Sequence, residues 1–208
     1  MIATRERDRG GAVKKSKQKV PEHLIYEILD GKPIHYKGYR DVLSGAKRFS
    51  EIMGSSALQS FIVAYFQRIL FRELDEELYT VLSSETGLHL DKRTNLAGDV
   101  LIFDNKVLPV EAIDEFYANV PPKVVIEVDI AADPEDIDND AYVFKKTEKL
   151  LRFGVEKVIW ITTKAKKVMV ATPDADWQVK DWHKDIEVMN GIMFNVGEYL
   201  TKKGSPHA

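Results

Sequence analysis

Apolar residues along the chain fall into short runs of two different periods, and together they predict a mixture of strands and helices. Tyr26 to Leu29 and Ile34 to Tyr36 flank Asp30-Gly31-Lys32-Pro33, which reads as strand, turn and strand. Ser55 and Ser56 offer N-caps to Ala57 to Leu70, where Leu58, Phe61, Ile62, Tyr65, Phe66 and Leu70 recur at helical spacing. Strand-like pieces follow at Leu78 to Leu82 and Leu88 to Leu90. A turn-prone stretch from Asp91 to Asn95 then precedes another at Val100 to Phe103. Val124 to Val128 is apolar except for one residue, the pattern of a strand covered on both faces.

A helix from about Ala141 to Phe153, ended by Gly154, leads to a strand at Lys157 to Thr162. Strand, helix and strand in that order imply a right-handed crossover between neighbouring parallel strands. Val168 to Ala171, Trp177 to Val179 and Glu187 to Met189 read as an antiparallel meander, and Asn195 to Leu200 as a short closing helix. The expected architecture is one α/β domain over residues 21–201, a mixed β-sheet flanked by helices, with no internal repeat.

Composition narrows the chemistry. With 208 residues, 44% of them hydrophobic and 30% charged, the chain can bury a core unaided. It has no cysteine, which excludes disulfides, thiolate zinc sites and cysteine nucleophiles, so a metal ion needs oxygen or imidazole ligands. No apolar run is long enough to span a bilayer, and the N-terminus lacks the apolar stretch of a secretory signal, so no membrane association and a cytoplasmic location are expected. Residues 1–20 carry seven Lys/Arg against two Asp/Glu and almost nothing apolar, as in a disordered basic tail; residues 202–208 read as a flexible C-terminal tail. The rest has 23 basic against 31 acidic residues, so attraction to a phosphate backbone requires a local basic patch, the tail or bound cations.

Glu127 is the most informative position. A carboxylate inside an apolar strand costs several kcal/mol to bury unless it is paired, protonated or bound to a cation. Alternation places Val125, Glu127 and Asp129 on one face. Asp99 opens the run Asp99-Val100-Leu101-Ile102-Phe103, and if the two strands are neighbours, Asp99 and Glu127 point at one cation. Magnesium or manganese suits such an oxygen site. The alternatives are a buried salt bridge for Glu127 and a turn residue for Asp99. On the following helix Val143, Phe144, Thr147, Leu150 and Leu151 form the expected buried face, Lys145 and Lys149 point away, and Lys146 sits on the border. That makes Lys146 the candidate cation beside the acids, or else a snorkelling lysine.

These residues together resemble the Uma-two family of restriction-endonuclease-like proteins, within the PD-(D/E)XK nuclease superfamily. The likeness begins at Tyr26 to Lys32 and is strongest in Gly98-Asp99-Val100-Leu101-Ile102, in Val124 to Val128, and in Lys146 to Val155 followed by Val158-Ile159-Trp160-Ile161. It implies a restriction-endonuclease-like sheet and metal-dependent hydrolysis of DNA. In it Asp99 and Glu127 are the Mg²⁺ or Mn²⁺ ligands, and Lys146 positions the attacking water or stabilises negative charge. Gly98 replaces the proline usual before the aspartate, the Ser-Pro pair expected after the glutamate is absent, and Asp129 stands where many superfamily members carry the lysine.

Asp129 reads as a loop acid or an extra ligand, and Glu85 as a turn acid or a further carboxylate. The five histidines lack ligand spacing. Superfamily nucleases often pair to cut two strands, so a homodimer is one expected assembly. The alternative from another class is a catalytically degenerate nuclease fold kept as a nucleic-acid-binding or assembly module, which the missing Ser-Pro and the acidic body favour.

Overall fold

The computed structural model describes residues 20–129 and 139–208. The basic leader up to Lys19 and the acidic run Asp133 to Asp138 lie outside the described residues.

The chain opens with the hairpin β1 (Ile25–Leu29) and β2 (Lys32–His35). Its two-residue turn has Asp30 at φ 55° and Gly31 at φ 77°. Two successive positive φ values match the twist of a tight hairpin, which favours Asp-Gly here. The short helix α1 (Tyr39–Leu43) follows, then the long helix α2 (Ala57–Glu73), whose N-cap Ser56 accepts a hydrogen bond from the Gln59 amide at 3.1 Å. Ile62, Phe66 and Leu70 of α2 are buried, whereas Phe61 lies at the exposed rim beside Tyr199.

Strand β3 (Tyr79–Asp91) is continuous where two pieces were expected. Ser84 and Glu85, both at positive φ, interrupt its ladder with β4 (Thr94–Asp104) between Ser83 and Thr86, and pairing resumes beyond them. Such a bulge breaks the polar–apolar alternation without ending the strand. β4 is the spine of the sheet. β3 runs along one edge of it; on the other, Asn95 pairs with Ile28 of β1, and Val100 to Ile102 pair with β5 (Val124–Val128). β1 and β5 therefore follow one another along the same edge.

Beyond β5 come α3 (Asn139–Phe153), β6 (Lys157–Thr162), β7 (Lys167–Thr172) and β8 (Ala175–Asp181). The eight-stranded sheet has the order β2-β1-β4-β5-β6-β7-β8 with β3 on β4, and only β5 and β6 are parallel. The expected meander is present. It ends in a separate hairpin of β9 (Ile186–Met189) and β10 (Ile192–Phe194), and the helix α4 (Val196–Lys202), capped by Asn195, closes the fold. After α4 the chain turns back, and Ala208 packs against the core. Among the described residues no helix is long and apolar enough to cross a membrane.

All five residues of β5 are buried, and the two faces of the sheet feed two clusters. Val100, Ile102, Ile126 and Val128 pack with α2 and the C-terminal hairpin; Leu101, Phe103, Val125 and Trp160 pack with Tyr142 and Leu150 of α3. α3 is rotated from the expected setting. Tyr142, Lys146, Thr147 and Leu150 are buried, while Phe144 is 51% exposed and stacks on Trp177 at 5.2 Å. Lys146 thus lies in the middle of the inward face, held there by carboxylates that a helical wheel does not contain.

Thr147 satisfies the buried indole of Trp160, whose Nε1 donates to Oγ1 at 2.9 Å. Thr147→Val keeps the shape and orphans the donor, a loss of about 1–3 kcal/mol. Urea unfolding should show that loss, with Thr147→Ser close to wild type. Equal stability of Thr147→Val and wild type would show that the hydrogen bond contributes nothing.

Candidate active site

Strand register brings the two predicted acids together. Val100 pairs with Ile126 and Leu101 with Val125, so Asp99 and Glu127 are the next opposed pair and share the face that α3 covers. The ladder stops there because Val128 N–H donates to Asp99 Oδ2 at 2.7 Å instead of continuing the backbone pairing. Gln59, in the first turn of α2, directs its amide at the same carboxylate from 3.4 and 3.5 Å. Gly98 precedes Asp99 at a crowded point, where an added Cβ would lie 2.5 Å from Leu101 Cδ1.

Lys146 reaches this cluster from α3 and is 1% exposed. Its ammonium donates to Glu27 Oε1 and to the Ala97 carbonyl, each at 2.7 Å. Glu127 Oε1 lies 2.9 Å from the same nitrogen, close enough for an ion pair, yet it receives no well-directed hydrogen bond.

Glu27 was not among the expected site residues. It stands on β1 and is 3% exposed. Oε1 also accepts from Ala97 N–H at 2.9 Å, and Oε2 accepts from the Tyr142 hydroxyl at 2.6 Å. A signal for it existed: Glu27 and Leu29 alternate onto one face of the strand, so this acid shares a side with a core leucine.

Two further acids take different places. Asp129 does not continue the face of Val125 and Glu127, because its φ of 62° turns the chain out of the strand. Its two oxygens accept from Thr163 N–H and Oγ1, each at 2.7 Å, which ties the end of β5 to the β6–β7 turn. Glu85, on the β3 bulge, is near enough to Asp99 to feel its charge.

Burial and crowding set the ionisation of the cluster. Burial pushes Asp99 above the usual aspartate range, against the opposing pull of Val128 N–H and Lys146. Burial raises Glu127 further, to about 8, with Lys146 acting against the shift and Asp99 and Glu27 adding to it. Glu85 is raised by burial and then by Asp99. Burial alone would lower Lys146, but the charges of Glu127 and Glu27 outweigh it and hold the ammonium above the ordinary lysine range.

One ammonium therefore faces three buried carboxylates, Glu27, Asp99 and Glu127, and only Glu27 is saturated with hydrogen bonds. Three carboxylates against one ammonium, the undirected Glu127 Oε1 and the all-oxygen donor set fit a hard divalent cation, which would displace the Glu127 proton on binding. Among the described residues no group of three acids or histidines forms a ready-made metal site. Asp99 and Glu127 would then share the cation with water or substrate.

No protein-family model and no curated protein matches the chain. Among solved structures, this chain is similar to one from Anabaena variabilis described as a "putative nuclease belonging to DUF820". The TM-score is 0.61 at 16% identity, over 84% of this chain and 89% of that one. The likeness shows a shared fold: a large, mostly antiparallel sheet flanked by helices.

The raised pKa of Glu127 links stability to pH with a definite sign. The folded state holds this proton up to about 8, whereas an ordinary glutamate releases it near 4.5. Its stabilising contribution is complete below the lower value and is lost as the pH rises through the window. Wild type should lose on the order of a few kcal/mol more than Glu127→Gln between those two pH values. Urea midpoints of both proteins measure this, and parallel profiles would contradict it.

Proposed function

We propose that this chain is a divalent-metal-dependent endonuclease that hydrolyses DNA phosphodiester bonds, with Mg²⁺ or Mn²⁺ held by Asp99 and Glu127. The observation that carries the reading is the opposed pair Asp99 and Glu127, set in a buried cluster whose negative charge one lysine does not offset. The shared fold with a protein described as a nuclease supports it.

Asp99 and Glu127 would hold the divalent cation, which when bound would supply an activated water and stabilise the charge that develops on the phosphate. The side chains do the rest. Asp99 is oriented by Val128 N–H and by the Gln59 amide. Lys146 positions Glu127 and keeps positive charge behind the reacting centre, where a low dielectric strengthens it. Glu27 and Tyr142 fix the ammonium in turn. Water is the nucleophile, so no covalent intermediate forms.

A second reading, a catalytically degenerate fold that binds nucleic acid or assembles with a partner, is favoured by one observation. Lys146 is 1% exposed and already bonded to Glu27 and Ala97, so it does not reach a substrate as it stands. Calorimetric titration with Mn²⁺ separates the readings, because the nuclease requires binding heat that vanishes in Glu127→Gln.

Purified protein with Mg²⁺ or Mn²⁺ should cut single- or double-stranded DNA and stop in EDTA. Asp99→Ala and Glu127→Gln should each lower the rate by about 100-fold or more, since each removes a group that stabilises transition-state charge. Intact DNA with both metals, or an Asp99→Ala variant that cuts at the wild-type rate, would refute the proposal.

A further inference from the structure

A cavity of about 440 Å³ is lined by Asp99 itself, and beside it, sharing Glu85 and Met53 to Ser55, lies a cleft of about 1020 Å³. Tyr36, Lys37 and the segment Ile52 to Ser56 form one wall, and Thr162 to Ala165, the turn between β6 and β7, form the other. At its inner end lie Gln59 and Glu85, the two side chains that adjoin Asp99.

Most charges lining the cleft are already engaged. Lys47 is 2.7 Å from Asp41, Glu51 accepts from the Arg48 amide, and Asp129 is bonded to Thr163. Glu85 has no side-chain partner among the described residues, but it sits beside Asp99, where a bound cation would offset it. Two exposed cations on opposite walls, Lys37 and Lys164, have no side-chain partner among the described residues. The lining carries three lysines against four acids, so it is not positive overall, and Lys37 and Lys164 are the cations in it left to meet an anionic ligand.

The wall beside Lys37 is apolar. Tyr36 and Ile52 are partly exposed there, and Met53 is 51% exposed. A duplex keeps its base faces stacked inside and offers only base edges in its grooves, so its phosphates suit the lysines while the apolar wall finds no base face to pack on. An unpaired strand offers both, phosphates for the cations and base faces for the apolar side chains.

We propose that the cleft binds an unpaired polynucleotide strand, with Lys37 and Lys164 on its phosphates and Tyr36, Ile52 and Met53 against its bases. The choice of a nucleic acid rests on the nuclease reading. Lys37 and Lys164 are positioning residues that hold the strand as it approaches Asp99 and Glu127.

The test measures fluorescence anisotropy of labelled single-stranded and duplex oligonucleotides with Mg²⁺ over a range of NaCl. It uses the full chain carrying Glu127→Gln, alone and with Lys37→Ala plus Lys164→Ala. The double substitution should weaken single-strand binding about tenfold and lower the slope of log affinity against log salt by about 1 to 2. Lys180→Ala, an exposed lysine on β8, should change neither. The duplex should bind more weakly than the single strand throughout. Unchanged affinity and slope in the double variant, or equal binding of duplex and single strand, overturns the inference. If wild type cuts DNA while the lysines have no effect, the cleft assignment falls and the nuclease reading stands. If single-strand binding depends on the lysines but wild type never cuts, the cleft assignment stands and the nuclease reading falls.

Discussion

How the buried ammonium of Lys146 divides its charge constrains everything else in the site. It donates to Glu27 and Ala97, and Glu27 is saturated by that bond together with those from Tyr142 and Ala97. Glu127, at 2.9 Å, shares the positive charge without a directed hydrogen bond. A buried pair of this kind adds little net stability, but removing one partner costs about 3–5 kcal/mol because the other charge is stranded. Glu27 therefore serves as the permanent counter-ion, which leaves Glu127 and Asp99 as the carboxylates that the ammonium does not saturate.

The fold delivers this arrangement through one strand. β4 carries β3 on one edge and both β1 and β5 on the other, so the glutamates of β1 and β5 meet over Ala97 to Asp99. α3 then drops Lys146 between them, and α2 brings Gln59 to Asp99 from its first turn. The cleft is bounded by the hairpin side of the sheet and by the β6–β7 turn.

Much of this was legible in the residues. The apolar run Val124 to Val128 is a fully buried strand; Gly154, at φ 117°, ends α3; and β5 and β6 are the expected parallel pair. The pairing of Asp99 with Glu127 needed only that their strands be neighbours, which they are. Less was legible where burial comes from tertiary contacts. Glu27 reads as a routine polar residue until β1 is seen beside β4, and the inward face of α3 is set by carboxylates on other strands, so Lys146 is central where the wheel made it peripheral. Lys37 and Lys164 lie far apart in the chain and meet only across the cleft.

The most direct test of the account is anomalous diffraction from crystals equilibrated with Mn²⁺. The charge argument predicts a manganese peak between the carboxylates of Asp99 and Glu127, with Lys146 still bonded to Glu27. A site without manganese, in which Glu127 stays on Lys146 alone, would show that the ammonium suffices and that no metal belongs there.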